Sequence, residues 1–333
     1  MLRQQDVGHR IVVRRIVGIR EGRPLFSDAL GELVELSETH LTLATAHGQL
    51  RVPVAQVHRA KRVPPTRRPT AAAVVALERA ANEAWPAPTR GRLGDWLLRS
   101  AEGWTGRANS ALPIGDPDRP LAAAVDAVER WYAERGQPAL INTPLPLAAP
   151  VGAELDARGW GSRPPTLVQT ASLPLLAPTS ANAPLVEAPE RAGDAVGWSG
   201  AVVELATAPG DEWLAIAAGR KGGLPEAARH VLTAVDQVRF ANVYVDGALV
   251  AVGRGTVTGQ GRWLGLSLIE VLPVARRQGL ARRVINELAA WGASGGATHA
   301  FLQVEQRNTA AVTLYQQLGF VTHHTYLTRV APH

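Results

Sequence analysis

Between residues 8 and 62 apolar residues alternate with polar ones or run in short stretches, Arg10–Val17, Leu30–Leu36, His40–Thr45 and Gln49–Val54. Gly22-Arg23-Pro24 and His47-Gly48 break the pattern. Period-two patterning interrupted by turn residues predicts a small five-stranded β-barrel over 1–63, followed by a stiff proline-marked linker over 64–69. The period then changes to that of a helix over Ala71–Ala84. From Val202 the pattern predicts a strand to Leu205 and helices over Asp211–Ala218 and Pro225–Ala234. A hairpin of Val238–Val245 and Leu249–Val257 follows about Asp246-Gly247, and then a strand over Arg262–Leu272. Leu280, Ala281, Val284, Ile285, Leu288 and Trp291 form one helical face, and a strand follows over Ala300–Val304. Asn308 suits the cap of a last helix with the stripe Ala311, Val312, Tyr315 and Leu318, which Gly319 would close before a final strand from Phe320 to Thr328.

Laid on itself at an offset of 160 positions, the chain brings Leu112-Pro113 onto Leu272-Pro273, Val125 onto Ile285, Val128 onto Leu288 and Trp131 onto Trp291. In the same register Gly136 meets Gly296, Gly159 meets Gly319, and Trp160 meets Phe320. Coincidences of packing and turn residues in one ungapped register point to a duplicated unit, 70–178 and 179–333. The proline- and alanine-rich stretch Leu173–Pro189 marks the crossing. The copies differ in chemistry. Where the second reads Arg276–Ala281, the first reads Asp116-Pro117-Asp118-Arg119-Pro120-Leu121, whose acids repel phosphate and whose prolines remove amide donors. Leu155 replaces Tyr315. The first copy is therefore expected to be structural, or to form one wall of an acceptor cleft.

The second copy carries the motifs Val271-x-Pro273-x-x-Arg276-x-x-Gly279-x-Ala281 and Leu302-x-Val304-x-x-x-Asn308-x-x-Ala311-x-x-Leu314-Tyr315-x-x-x-Gly319-Phe320. An apolar strand stopped by proline and a basic, glycine-containing turn entering a helix predict a phosphate site built from free helix amides. At their observed separation the two blocks resemble the GNAT superfamily of acyl-CoA-dependent N-acyltransferases. The resemblance implies a mixed α+β fold with a central, mostly antiparallel sheet flanked by helices. For this chain that means tandem GNAT-like units behind an SH3-like N-terminal barrel. It also implies acetyl-CoA as donor and places the arm of CoA on the backbone of Ile269 and Val271.

The chemistry of CoA assigns the rest. The amides of Gln278, Gly279, Leu280 and Ala281 can face the pyrophosphate, with Arg276, Arg277 and Arg282 adding charge and Gly279 allowing close approach. Val271 N–H is a candidate for holding the oxyanion. Tyr315, with an ordinary phenol pKa of about 10, suits a general acid toward a thiolate leaving group of about 8.5. Asn308 caps its helix and can also touch the CoA arm. For the base, Glu270 leads, out of phase with Ile269 and Val271, with Glu204, Glu305, His299, His323-His324 and a water chain as alternatives.

Composition narrows this further. The 333 residues contain no cysteine, which excludes disulfides, thiolate metal sites and a cysteine nucleophile, so acyl transfer must be direct or use another nucleophile. No metal is expected. The formal charge of +6 belongs to the N-terminal segment: residues 1–69 hold 12 Lys+Arg against 6 Asp+Glu, and the rest holds 23 of each. Phe26 is the only aromatic residue there, too few for base stacking, so nucleic acid is not an expected partner. Neither lysine, Lys61 or Lys221, follows a phosphate-binding glycine loop, which removes an NTPase reading. With no apolar span or signal-peptide core, a soluble cytoplasmic protein is expected. The expected acceptor is an amine, on a small molecule or on a peptide or protein. The competing expectation is a non-catalytic acyl-CoA sensor or partner-binding module acting through the barrel.

Overall fold

The computed structural model describes residues 2–20, 22–45, 48–63, 69–176, 201–219 and 224–332. The chain divides into two compact units, Met1–Arg68 and Pro69–His333. The linker over 64–69, except Pro69, lies outside the described residues, as do the crossing beyond Leu176 and the 178/179 boundary.

The first unit has the five expected strands, β1 (Arg10–Arg20), β2 (Arg23–Leu36), β3 (His40–Thr45), β4 (Gly48–Pro53) and β5 (Val57–Arg62). They form one antiparallel sheet in the order β4-β3-β2-β1-β5 over the buried side chains of Ile11, Val13, Leu33, Leu41, Leu43 and Val52. No ladder joins β4 to β5 among the described residues, so closure into a barrel is not seen. The β1–β2 hairpin is longer than the pattern predicts. Pairing continues from Arg10↔Glu32 to Arg20↔Arg23, because its outer half, with Val17, Ile19 and Phe26 exposed, is held by backbone pairing rather than by a buried face.

The second unit begins with α1 (Ala71–Ala84), whose Thr70 cap accepts from Ala73 N–H at 3.2 Å. Then come β6 (Thr89–Leu93), β7 (Trp96–Ser100), α2 (Leu121–Ala133), β8 (Leu140–Leu145), α3 (Ala149–Ala157), β9 (Gly161–Ser162) and β10 (Thr166–Ser172). Next are β11 (Val202–Ala206), α4 (Asp211–Ala218), α5 (Glu226–Thr233), β12 (Val238–Val245), β13 (Ala248–Thr258) and β14 (Trp263–Val271). The last elements are α6 (Leu280–Ser294), β15 (His299–Glu305), α7 (Thr309–Gln317) and β16 (Val321–Val330). The large sheet runs β11-β12-β13-β14-β15-β10-β16-β8, with β9 also on β16, and its β14–β15 ladder is parallel. The fold is mixed α/β. Among the described residues no helix is long and apolar enough to cross a membrane.

The 160-residue offset carries α3 onto α7 residue for residue, α2 onto 281–293 within α6, and β8 onto 300–305 within β15. The paired glycines match in backbone as well. Gly136 and Gly296 have φ 63° and 93°, and Gly159 and Gly319 have 73° and 89°, the left-handed state that closes helices. The sequence pattern does not show that the two halves interleave. β10 lies between β15 and β16, and β16 in turn pairs with β8.

Helix α6 covers one face of this sheet with Leu280, Val284, Ile285 and Leu288, each worth about 1.5–3 kcal/mol of buried side chain. Its close approach depends on Gly253, where a Cβ would fall 2.4 Å from Val284 Cγ1 and 2.8 Å from Ile269 Cδ1. The opposite face packs Trp85, Trp104, Trp213, Phe240 and Val252.

Candidate active site

The parallel pairing of β14 with β15 runs only from Trp263↔His299 to Leu266↔Leu302. Beyond it β14 bends. Ser267 pairs with Arg254 and Glu270 with Val252, so three steps on β14 face two on β13, a bulge of one residue. Leu268 sits in the bulge at φ 53°, a conformation that costs a branched side chain about 1–3 kcal/mol and that its packing into the tryptophan layer offsets. The strands therefore splay, opening a cavity of about 1360 Å³.

The bulge also decides which way the strand's side chains point. Ile269 and Val271 pack with the α6 layer, whereas Glu270, opposite Val252, shares the face of the tryptophans. Ile269, Glu270 and Val271 all line the cavity.

At the start of α6 a short turn, Pro273–Ala275, leads into Arg277 at φ 67° and Gly279 at φ 75°. Gly279 is the N-cap and no side chain caps the helix, so the first-turn N–H groups of Leu280, Ala281 and Arg282 lack an intrahelical acceptor. A Cβ on Gly279 would meet nothing within 4 Å. The space in front of these amides is open, and the helix dipole adds positive potential there. Arg276, Arg277, Gly279, Leu280, Ala281 and Arg282 line the cavity, with Arg276 Nε donating to Val271 O at 3.2 Å. Gln278 does not: its Oε1 is buried without a hydrogen-bond partner, outside the lining.

Asn308 caps α7, its Oδ1 accepting from Ala311 N–H at 3.3 Å, and also lines the cavity. Tyr315, on the same helix, is buried at 9% exposure, lies against Phe320 at 5.8 Å between ring centroids, and faces the cavity. In the first half Pro117 and Pro120 bring no N–H to the matching turn. Asp95 Oδ2 accepts from Asp116 N–H at 3.1 Å and Asp116 Oδ1 from Asp118 N–H at 2.9 Å, so carboxylates stand in the turn that carries arginines in the second half.

Most alternative bases lie elsewhere. Glu204, His299, His323 and His324 do not line the cavity, and Glu305, which does, pairs with Arg307 Nε at 2.6 Å. His324 Nε2 bonds Glu78 Oε1 at 2.7 Å in a buried pair, with His323 Nδ1 at 2.8 Å from His324 Nδ1. Burial, and then the neighbouring His324, lower the His323 pKa from 6.5 to about 4. As pH falls, the unfolded chain takes up this proton first. Stability is then full above about 6.5 and is lost toward 4. The expected result is a melting temperature that falls across that window and falls less in His323→Gln; equal slopes would refute the assignment.

Trp85, Trp104, Arg107 and Arg163 complete the lining from the first half. The first half thus contributes part of the cavity wall. The tryptophans stand out in the sequence, but the arginines lie in irregular segments whose spacing signals nothing.

A sheet split at a bulged strand, with an uncapped basic helix start at the mouth, is the architecture of a GNAT N-acetyltransferase. The chain belongs to the family described as "Probable histone acetyltransferase Rv0428c C-terminal", which matches residues 71–328. It is 30% identical to the probable histone acetyltransferase Rv0428c of Mycobacterium tuberculosis, over 97% of this chain and 95% of that protein. It is 29% identical to the protein described as "Uncharacterized N-acetyltransferase YobR" of Bacillus subtilis, over 75% of this chain and 96% of that protein. In fold it is similar to a GCN5-related N-acetyltransferase from Kribbella flavida, with TM-score 0.56, 17% identity and coverage of 79% and 95%.

Proposed function

We propose that the protein is an N-acetyltransferase that moves an acetyl group from acetyl-CoA directly to a primary amine. The observation carrying this reading is that the uncapped start of α6, Glu270 and Tyr315 border one cavity. The amides beginning at Gly279, with Arg276, Arg277 and Arg282, receive the pyrophosphate, and the backbone of Ile269 and Val271 receives the amides of the CoA arm. The amine attacks the thioester carbonyl, forming the C–N bond, and a main-chain N–H at Val271 steadies the oxyanion. As the C–S bond breaks, the Tyr315 phenol gives its proton to the departing thiolate, and the proton lost by the amine passes to Glu270, directly or through water. The absence of cysteine favours this direct route over a thioester on the enzyme. The names of both relatives agree with acetyl transfer.

Acetyl-CoA at about 100 times its Kd is expected to stabilise the protein by roughly 2.7 kcal/mol, read as a rise in melting temperature of several degrees. An unshifted melt removes acetyl-CoA from the reading. Release of free CoA thiol with an amine panel then separates catalysis from mere acyl-CoA sensing.

A further inference from the structure

The far side of the cavity holds two arginines that the acetyl-transfer reading does not use. Gly253 and Gly255 lie beneath α6, so Arg254 between them points through the opposite face, where its guanidinium lies 5.4 Å from the Trp85 ring. Trp85 stacks on Trp104 at 5.3 Å, and the Arg107 guanidinium sits 5.3 Å from the same Trp85 ring. Arg107 is therefore across the sheet from the start of α6 and its phosphate-facing arginines. Arg163 is tied to β16, its N–H donating to Thr328 O at 2.9 Å, which is three strand spacings, roughly 14 Å, from β14. Its Nη1 would lie 2.8 Å from a Cβ on Gly106, so the glycine beside Arg107 lets the second guanidinium in.

Among the described residues neither arginine forms an ion pair, and Arg107 Nε is buried without a hydrogen-bond partner. A buried charged donor without an acceptor is costly, and a ligand oxyanion supplies that acceptor. Glu270 shares this face, nearer the strand split. The end of the cavity beyond the donor site thus offers a carboxylate for an amine and, past it, two guanidiniums for an anion.

We propose that the acceptor is a primary amine bearing an oxyanion, a carboxylate or a phosphate, held by Arg107 and Arg163 while the amine faces Glu270. The proposal rests on the acetyl-transfer reading above. A lysine-rich protein tail fits less well, since its further positive charges would face the two arginines.

Calorimetric titration of the full-length protein, alone and saturated with CoA, tests it with matched pairs: butylamine against γ-aminobutyrate, ethanolamine against O-phosphoethanolamine, and a lysine-rich peptide. The anionic member of at least one pair is expected to bind about ten- to a hundredfold more tightly than its neutral counterpart. Which pair shows the preference separates carboxylate from phosphate. Arg107→Gln and, independently, the exposed Arg163→Gln are each expected to shrink that ratio to about threefold or less. Equal affinities within both pairs, no binding of either anionic amine, ratios unmoved in both variants, or tighter binding of the peptide would overturn the proposal. Binding is read without turnover, so failure to acetylate any amine would count against the acetyltransferase reading alone.

Discussion

Tyr315→Phe is expected to lower kcat by about 10²- to 10⁴-fold while leaving acetyl-CoA binding close to that of the wild type. Phenylalanine keeps the ring that packs against Phe320 at 5.8 Å and fills the same buried position on α7, so the substitution removes an oxygen and little else. That oxygen carries the only proton assigned to the departing thiolate. Without it the sulfur must leave as an anion or take a proton from water, and the barrier to C–S cleavage rises by about 3–5 kcal/mol. The diagnostic measurement is kcat at saturating amine together with the acetyl-CoA Kd. An unchanged kcat would mean that the phenol is a packing group and that another donor serves the thiolate. A loss confined to acetyl-CoA affinity would assign Tyr315 to binding. The contrast within the chain sharpens the test, because Leu155, at the matching place in the first half, is fully buried and contributes packing alone.

Helices α6 and α7 were legible because a solvent-facing helix must carry its apolar residues at a fixed period, and the glycines that end such helices need a left-handed backbone. The basic, glycine-containing turn that enters α6 was legible for a similar local reason. Strand partnership was not, since β10 meets β15 and β16 about 130–160 residues further along the chain, and nothing in an alternating strand names a remote partner. The bulge at Leu268 was equally hidden. A leucine gives no warning of positive φ, yet this residue decides that Glu270 shares the tryptophan face while Ile269 and Val271 lie toward α6. Gln278, whose main-chain amide the sequence adds to the cradle, has a side-chain Oε1 buried outside the cavity lining, which its place in a basic turn does not announce. The histidine pair was a reasonable base by residue type, and only the packing of α1 against the sheet brings Glu78 to His324 and buries both.

The residue least visible in the sequence has the largest expected effect on stability. Arg254 lies in a strand that reads as apolar, is 1% exposed, and forms no ion pair among the described residues. Its Nε donates to Leu232 O at 2.8 Å, Nη1 to Ala84 O at 2.9 Å and Nη2 to Val231 O at 3.2 Å. These carbonyls belong to the last turns of α5 and α1, where helices leave acceptors unpaired and the dipole is negative. One guanidinium thus closes two helix ends, one from each half, onto β13. Burial lowers its pKa to about 9, which still leaves it charged at neutral pH. Arg254→Ala strands three buried carbonyls and opens a cavity beside Trp85, and is expected to cost about 3–5 kcal/mol in denaturant unfolding. Arg254→Lys, with one ammonium for three divergent acceptors, should fall between the two. If Arg254→Ala unfolded at the wild-type midpoint with the same m-value, the helix-end carbonyls would have to find other donors, and Arg254 would not be what fastens the two helix ends to β13.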